Sequence, residues 1–277
     1  MTYFQALILG IVQGLAEFLP ISSSGHLALI QNFFGISGDE ILTFTIMLHI
    51  GTLISVFIVY RHELAALIIE LFACLKDIFT GKGPRINANE TRRLGFLIIV
   101  ATIPTALIGF LFEDFFNSLY SNIIAIGIGL IFTGTILFAA EHFGKGKYGI
   151  PEMKFRTAVF VGIMQGIAIC PGVSRSGSTL VGGLSGGLKK DFAVKFAFLI
   201  SIPTILGSAI LEVPDLIEQG FDMTIAGPVF AGMIAAAVCG YAAIRLMIRL
   251  VQNQKLIVFS IYTWLLGLGV VIFSLVH

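Results

Sequence analysis

Glu17, His26 and Arg175 stand in stretches that are otherwise apolar. The first stretch reads Gln13-Gly-Leu-Ala-Glu17-Phe-Leu-Pro20-Ile-Ser22-Ser23-Ser24-Gly25-His26. The second reads Gln165-Gly-Ile-Ala-Ile-Cys-Pro171-Gly-Val-Ser174-Arg175-Ser176-Gly177-Ser178-Thr179. In both, a proline stops one helix and hydroxyl side chains open the next as N-caps. The free amides and positive dipole end of a helix N-terminus favour an anion such as phosphate. Ser22, Ser23, Ser24, Ser174, Ser176, Ser178 and Thr179 add hydroxyl donors, and Arg175 can grip phosphate oxygens with two parallel bonds. Gln13 and Glu17 are four residues apart and share a helix face, where their oxygens suit a hard divalent cation. His26 can serve as base, acid or nucleophile toward phosphorus. Nucleophile, arginine and metal together are the parts of a phosphoryl-transfer site. The plainer alternative is a buried Glu17–Arg175 pair that locks two segments together. A simple salt bridge has no need of the surrounding hydroxyls and glycines.

The elements that must hold these residues are membrane helices. Of 277 residues, 57% are apolar, with 31 glycines besides, and only 12% are charged. A soluble domain carries about 25% charge, so a water-soluble globule is excluded, as is disorder. The net charge of +1 leaves no footprint for nucleic acid. Residues 41–60, 94–112, 121–140, 196–211, 224–244 and 256–276 approach the roughly 20 apolar residues of a spanning helix. The 196–211 run extends back toward Asp191. Residues 3–35 and 155–187 are broken near Pro20 and Pro171, and read as re-entrant hairpins. An ionised group in hydrocarbon costs roughly 3 kcal/mol or more, so Glu17, His26 and Arg175 must face one another or a watery cavity. His49 and Thr52 lie on the first span, with His49 read as structural. His62 and His142 sit at interfaces, and Cys74, Cys170 and Cys239 are small buried hydrophobes.

The lysines and arginines sort by side. Arg61, Lys76, Lys82, Arg85, Arg92 and Arg93 follow the first span. Lys145, Lys147, Lys154 and Arg156 follow the third, and Lys189, Lys190 and Lys195 precede the fourth. Arg245, Arg249 and Lys255 follow the fifth. The opposite connections, 113–120 and 212–223, carry only acids: Glu113 and Asp114, then Glu212, Asp215, Glu218 and Asp222. Arg175 alone falls outside this sorting. The positive-inside rule places both termini outside, with hairpin one opening outward and hairpin two toward the cytoplasm.

A shift of 152 residues lays Gly10, Gln13, Gly14, Ser22, Ser24 and Gly25 on Gly162, Gln165, Gly166, Ser174, Ser176 and Gly177. Gly35, Asp39, Phe44, Ile50 and Thr52 then fall on Gly187, Asp191, Phe196, Ile202 and Thr204. The expected architecture is an all-α integral membrane protein. It forms one membrane domain over 1–277 with two inverted-topology repeats, 1–142 and 154–277, joined by a cytoplasmic linker at 143–153. Each repeat is a hairpin plus three spans, and sites are expected where the broken segments meet.

With these motifs the chain resembles the bacterial undecaprenyl-diphosphatases of the bacitracin-resistance type. The family carries a (Glu/Gln)-x-x-x-Glu motif, read here as Gln13 to Glu17. A Pro-x-Ser-Ser-x-Gly-His segment reads as Pro20 to His26, and Pro-Gly-x-Ser-Arg-Ser-x-x-Thr as Pro171 to Thr179. The resemblance implies hydrolysis of undecaprenyl pyrophosphate to undecaprenyl phosphate and inorganic phosphate, recycling the lipid carrier for peptidoglycan and other cell-wall polymers. It implies action at the outer face of the cytoplasmic membrane, with Mg²⁺ or Ca²⁺ held by Glu17 and Gln13. A neutral amide at Gln13 weakens that metal site relative to a carboxylate pair. It further implies that Glu17, Ser23, His26 and Arg175 are catalytic, and that Ser22, Ser24, Ser174, Arg175, Ser176 and Thr179 bind the pyrophosphate. Ser23 as nucleophile with His26 as its base is the favoured pairing, and His26 as nucleophile is the other. The partners are a polyprenyl pyrophosphate and the bilayer, and the glycine-rich helices are compatible with a homodimer. A flippase using the same anion site is the alternative function.

Overall fold

In the computed structural model, residues 1–36, 39–142, 146–219, 225–253 and 255–276 are described, without the side chains of 39–43 and 212–219. Asp39, Lys145, Glu212, Asp215, Glu218 and Asp222, which figure in the sequence reading, lie outside the described side chains. Most of the described residues are helical. The only β feature among those residues is an isolated bridge between Tyr148 and Leu188.

The helices are α1 (Tyr3–Phe18), α2 (Ser23–Phe33), α3 (Asp39–Val59), α4 (Arg61–Phe79), α5 (Glu90–Leu111), α6 (Glu113–Tyr120), α7 (Ile123–Glu141), α8 (Phe155–Ile167), α9 (Arg175–Ser185), α10 (Lys190–Gln219), α11 (Ala226–Gln252) and α12 (Ile257–Val276). Five are long and apolar enough to cross a bilayer: α5, α7, α10 over Lys190–Leu211, α11 and α12. The first expected span is α3. Its part Phe44–Val59 meets α4 at a bend of 86°.

Three parts of the sequence reading are corrected. The stretch after the first span, read as a basic connection, holds the helix α4. Its charges occur at helical spacing between apolar residues, so Leu64 and Leu67 pack inward while Ile69, Phe72 and Phe79 stay exposed. The short acidic connection 113–120 is the helix α6, with Phe116 buried. The fourth span reaches back to Lys190, as read, but α10 also continues through the acidic connection read at 212–223 as far as Gln219.

Each broken segment forms two helices with the break between them. Thr2 and Gln5 close a capping box at the start of α1. Pro20 and the extended backbone of Leu19 end that helix, and Ser22 caps α2. Ala168 ends α8 and Ser174 caps α9. The helices α2 and α9 begin and end at the same 152-residue shift that aligns their sequences.

The buried core falls into two parts. The larger surrounds α8, α9 and α10, with Leu97, Val161, Leu180, Leu199 and Ile205 in it. The smaller joins α1, α3 and α11 through Ala6, Leu9, Leu48 and Ala236. Each hairpin leans on a helix from the other half of the chain, α1 on α11 and α8 on α5. Small residues allow the approach. A Cβ on Gly10 would strike the Gly232 backbone, and one on Gly162 would strike the carbonyl of Ala101.

Candidate active site

The two hairpin tips cross. Gly25 in the first turn of α2 lies against Gly172 in the second break, and Gly177 in the first turn of α9 lies against Pro20 in the first. Their N-terminal turns are built alike. The Oγ of Ser22 accepts from the Gly25 amide at 3.2 Å, and that of Ser174 from the Gly177 amide at 3.1 Å. Ser22 and Ser24 share a hydroxyl bond of 3.3 Å, and Ser174 and Ser176 one of 3.2 Å. The tips are also tied directly. Ser176 Oγ donates to the Leu19 carbonyl at 3.2 Å. The Ser174 amide donates to Thr133 Oγ1 of α7 at 2.9 Å. The first two amides of each helix have no partner within the helix.

Glu17 is the centre. Its side chain is 3% exposed. Oε1 accepts from Arg175 Nη2 at 2.6 Å across the tips. Oε2 accepts from Ser23 Oγ at 2.7 Å and from Gln13 Nε2 at 3.0 Å. His49 on α3 brings Nε2 to 3.9 Å from the same oxygen, with its Nδ1 bonded to the Thr45 carbonyl at 2.9 Å. The carboxylate and guanidinium neutralise each other, which is what burial of both charges requires. A narrow cleft beside the pair is lined by Phe18, Ala197, Phe198, Ser176 and Ser201.

The structure thus joins Gln13, Glu17, Ser23 and Arg175 in one bonded cluster. The other candidates stand differently. The hydroxyls of Ser22 and Ser174 cap the helices, that of Ser24 bonds Ser22, and that of Ser176 ties the tips through Leu19. Thr179 Oγ1 donates back to the carbonyls of Arg175 at 2.8 Å and Ser176 at 3.2 Å. His26 turns away from Ser23. Its Nδ1 is 2.7 Å from the Ser22 carbonyl oxygen and its Nε2 is 2.6 Å from Tyr262 Oη. The favoured pairing of Ser23 with His26 therefore does not form, since Glu17 takes the Ser23 proton and Tyr262 occupies the imidazole. His49, read as structural, lies within the cluster. The 152-residue shift lays it on Ser201, which lines the cleft, and that was the available signal. Tyr262 had none, being one aromatic residue in an apolar span.

Among the described residues, no three His, Cys, Asp or Glu side chains gather into a metal cluster. The donors beside Glu17 still fit a hard cation. Gln13 Oε1 is buried without a hydrogen-bond partner, one residue turn from the carboxylate. Oxygen-only donors with a single negative charge suit a cation whose remaining ligands come from a diphosphate.

Comparison with known proteins gives a consistent result. Residues 6–269 match the family described as bacitracin resistance protein BacA. The chain is 50% identical over 275 residues to an undecaprenyl-diphosphatase of Alkaliphilus metalliredigens, covering 99% of this chain and 100% of that one. It is 42% identical over 277 residues to one from Carboxydothermus hydrogenoformans, covering 98% and 97%. A Methanobrevibacter smithii protein of the same name is 37% identical over 279 residues, covering 100% and 99%.

Proposed function

This chain belongs to the bacitracin resistance protein BacA family, and on that premise we propose how its crossed hairpin tips act. It is a membrane enzyme that hydrolyses undecaprenyl diphosphate to undecaprenyl phosphate and inorganic phosphate. The observation that carries the site assignment is the Glu17–Arg175 contact at 2.6 Å, with Ser23 bonded to the same carboxylate.

The terminal phosphate of the lipid sits at the converging N-termini of α2 and α9. Their free amides and the Arg175 guanidinium neutralise its oxygens. Ser23 Oγ attacks the terminal phosphorus and passes its proton to Glu17 Oε2. The bond from that phosphorus to the bridging oxygen breaks, and undecaprenyl phosphate leaves. Water then cleaves the phosphoserine, releasing phosphate and restoring the hydroxyl. For that step His26 Nε2 exchanges the Tyr262 hydroxyl for the water and takes its proton, while Glu17 returns the proton it holds to the departing Ser23 Oγ. Gln13 and Glu17 would hold a Mg²⁺ or Ca²⁺ ion, which supplies charge neutralisation on the diphosphate.

The reaction takes place at the outer face of the cytoplasmic membrane. Supporting this orientation, the basic ends of the helices are tied to one another. Arg93 donates to the linker carbonyls of Ile150 and Met153, Lys195 pairs with Glu63, Gln252 bonds Asp191, and Glu141 accepts from the Leu256 amide. That arrangement suits one cytoplasmic side, with the second repeat inverted relative to the first. Transport of the lipid has no observation of its own to favour it.

The test is phosphate release by the purified protein from undecaprenyl diphosphate in mixed micelles with Mg²⁺. Steady release that Ser23→Ala and His26→Ala each abolish is expected. Undiminished release in the Ser23 variant would overturn the assignment of the nucleophile.

A further inference from the structure

We propose that Tyr262 is a positioning residue for His26, an inference that rests on the role given to His26 above. The Nδ1 atom of His26 faces the Ser22 carbonyl oxygen at 2.7 Å. A carbonyl only accepts, so Nδ1 carries the ring proton and Nε2 of the neutral imidazole holds a lone pair. Tyr262 Oη lies 2.6 Å from that nitrogen and donates its proton into the lone pair. The two rings are nearly parallel, their planes 12° and their centroids 5.6 Å apart, so the phenol is held against the imidazole by its ring as well as by its hydroxyl. His26 is thereby held at both nitrogens, once by its own hairpin and once by the last helix of the chain.

The other hydroxyls near Tyr262 on α12 are engaged elsewhere. Ser260 and Thr263 bond back to carbonyls of their own helix. The indole of Trp264 donates to Thr135 on α7. The phenol fixes the tautomer, aims Nε2 and covers that nitrogen until the base is used.

The variant Tyr262→Phe removes the hydroxyl and leaves the ring. Two readouts separate positioning from packing. The first needs no turnover. Diethyl pyrocarbonate modifies unprotonated imidazole nitrogen, and mass spectrometry reads the rate at His26 against His62 and His142 in the same sample. Loss of the covering hydroxyl should raise the His26 rate at least about threefold. The second is phosphate release from undecaprenyl diphosphate. We expect kcat to fall about tenfold with KM held within about twofold. If His26→Ala is inactive, an unchanged labelling rate or an unchanged kcat in Tyr262→Phe overturns the role of Tyr262. Full turnover in His26→Ala instead overturns the reading on which it rests.

Discussion

The hydroxyl of Ser23 donates to Glu17 Oε2 at 2.7 Å, so the carboxylate that Arg175 grips on one oxygen holds the serine on the other. The adjacent serine is differently placed, since Ser24 Oγ bonds Ser22 Oγ at 3.3 Å. Ser23→Ala should therefore lower kcat by about 100-fold or more. Ser24→Ala should cost less than about tenfold, through a weakened cap region. Steady-state phosphate release from both variants checks the difference.

Gln13 Oε1 is buried and unpartnered beside Glu17. Exchanging the amide for a second carboxylate adds charge where the proposed cation would be held. Gln13→Glu should lower the Mg²⁺ concentration that gives half-maximal activity by about tenfold, and Gln13→Leu should raise it. Titration of metal into chelator-stripped protein measures both.

Gly172 has a φ of +83°, and a Cβ there would strike the Ile126 carbonyl on α7. This residue sets the turn that delivers Arg175. Gly172→Ala should destabilise the protein by at least ~1 kcal/mol and reduce activity, as Arg175 is drawn from Glu17. Thermal unfolding in detergent, alongside phosphate release, reads the two effects.

Arg92 at the start of α5 donates to Glu70 at 2.9 Å and to Asp77 at 2.7 Å, pinning α4. Its guanidinium holds both carboxyls below their ordinary range. A carboxyl depressed in the folded state stabilises at pH above its unfolded value and loses that stabilisation as pH falls through the folded one. Hydrogen exchange in α4 should be steady, after correction for intrinsic rates, from pH 8 to about 5 and quicken below about 4. Arg92→Met should show the quick exchange at neutral pH.

Much of the site was legible because polar residues are scarce in this chain. Glu17 and Arg175 stood out against apolar neighbours, and Pro20 with Ser22 and Pro171 with Ser174 marked both breaks. Side-chain direction was not legible. The three-residue spacing of Ser23 and His26 places them on one helix face, but it does not show that Nδ1 turns back to the Ser22 carbonyl. The contact with Tyr262 spans 236 residues, and nothing local to either residue announces it. The helix α4 was obscured by its charges, which suggested a solvated connection until Arg92 was seen to gather Glu70 and Asp77.

The central claim is that Glu17 and Arg175, from opposite halves of the chain, form one catalytic site. The direct measurement is kcat/KM for phosphate release from undecaprenyl diphosphate by Glu17→Gln, Arg175→Ala and the double variant. Groups acting as a unit are not additive. The account predicts that each single change costs about 100-fold or more and that the double variant stays within about threefold of the slower single. Losses that multiply in the double variant, or full activity in either single one, would contradict it.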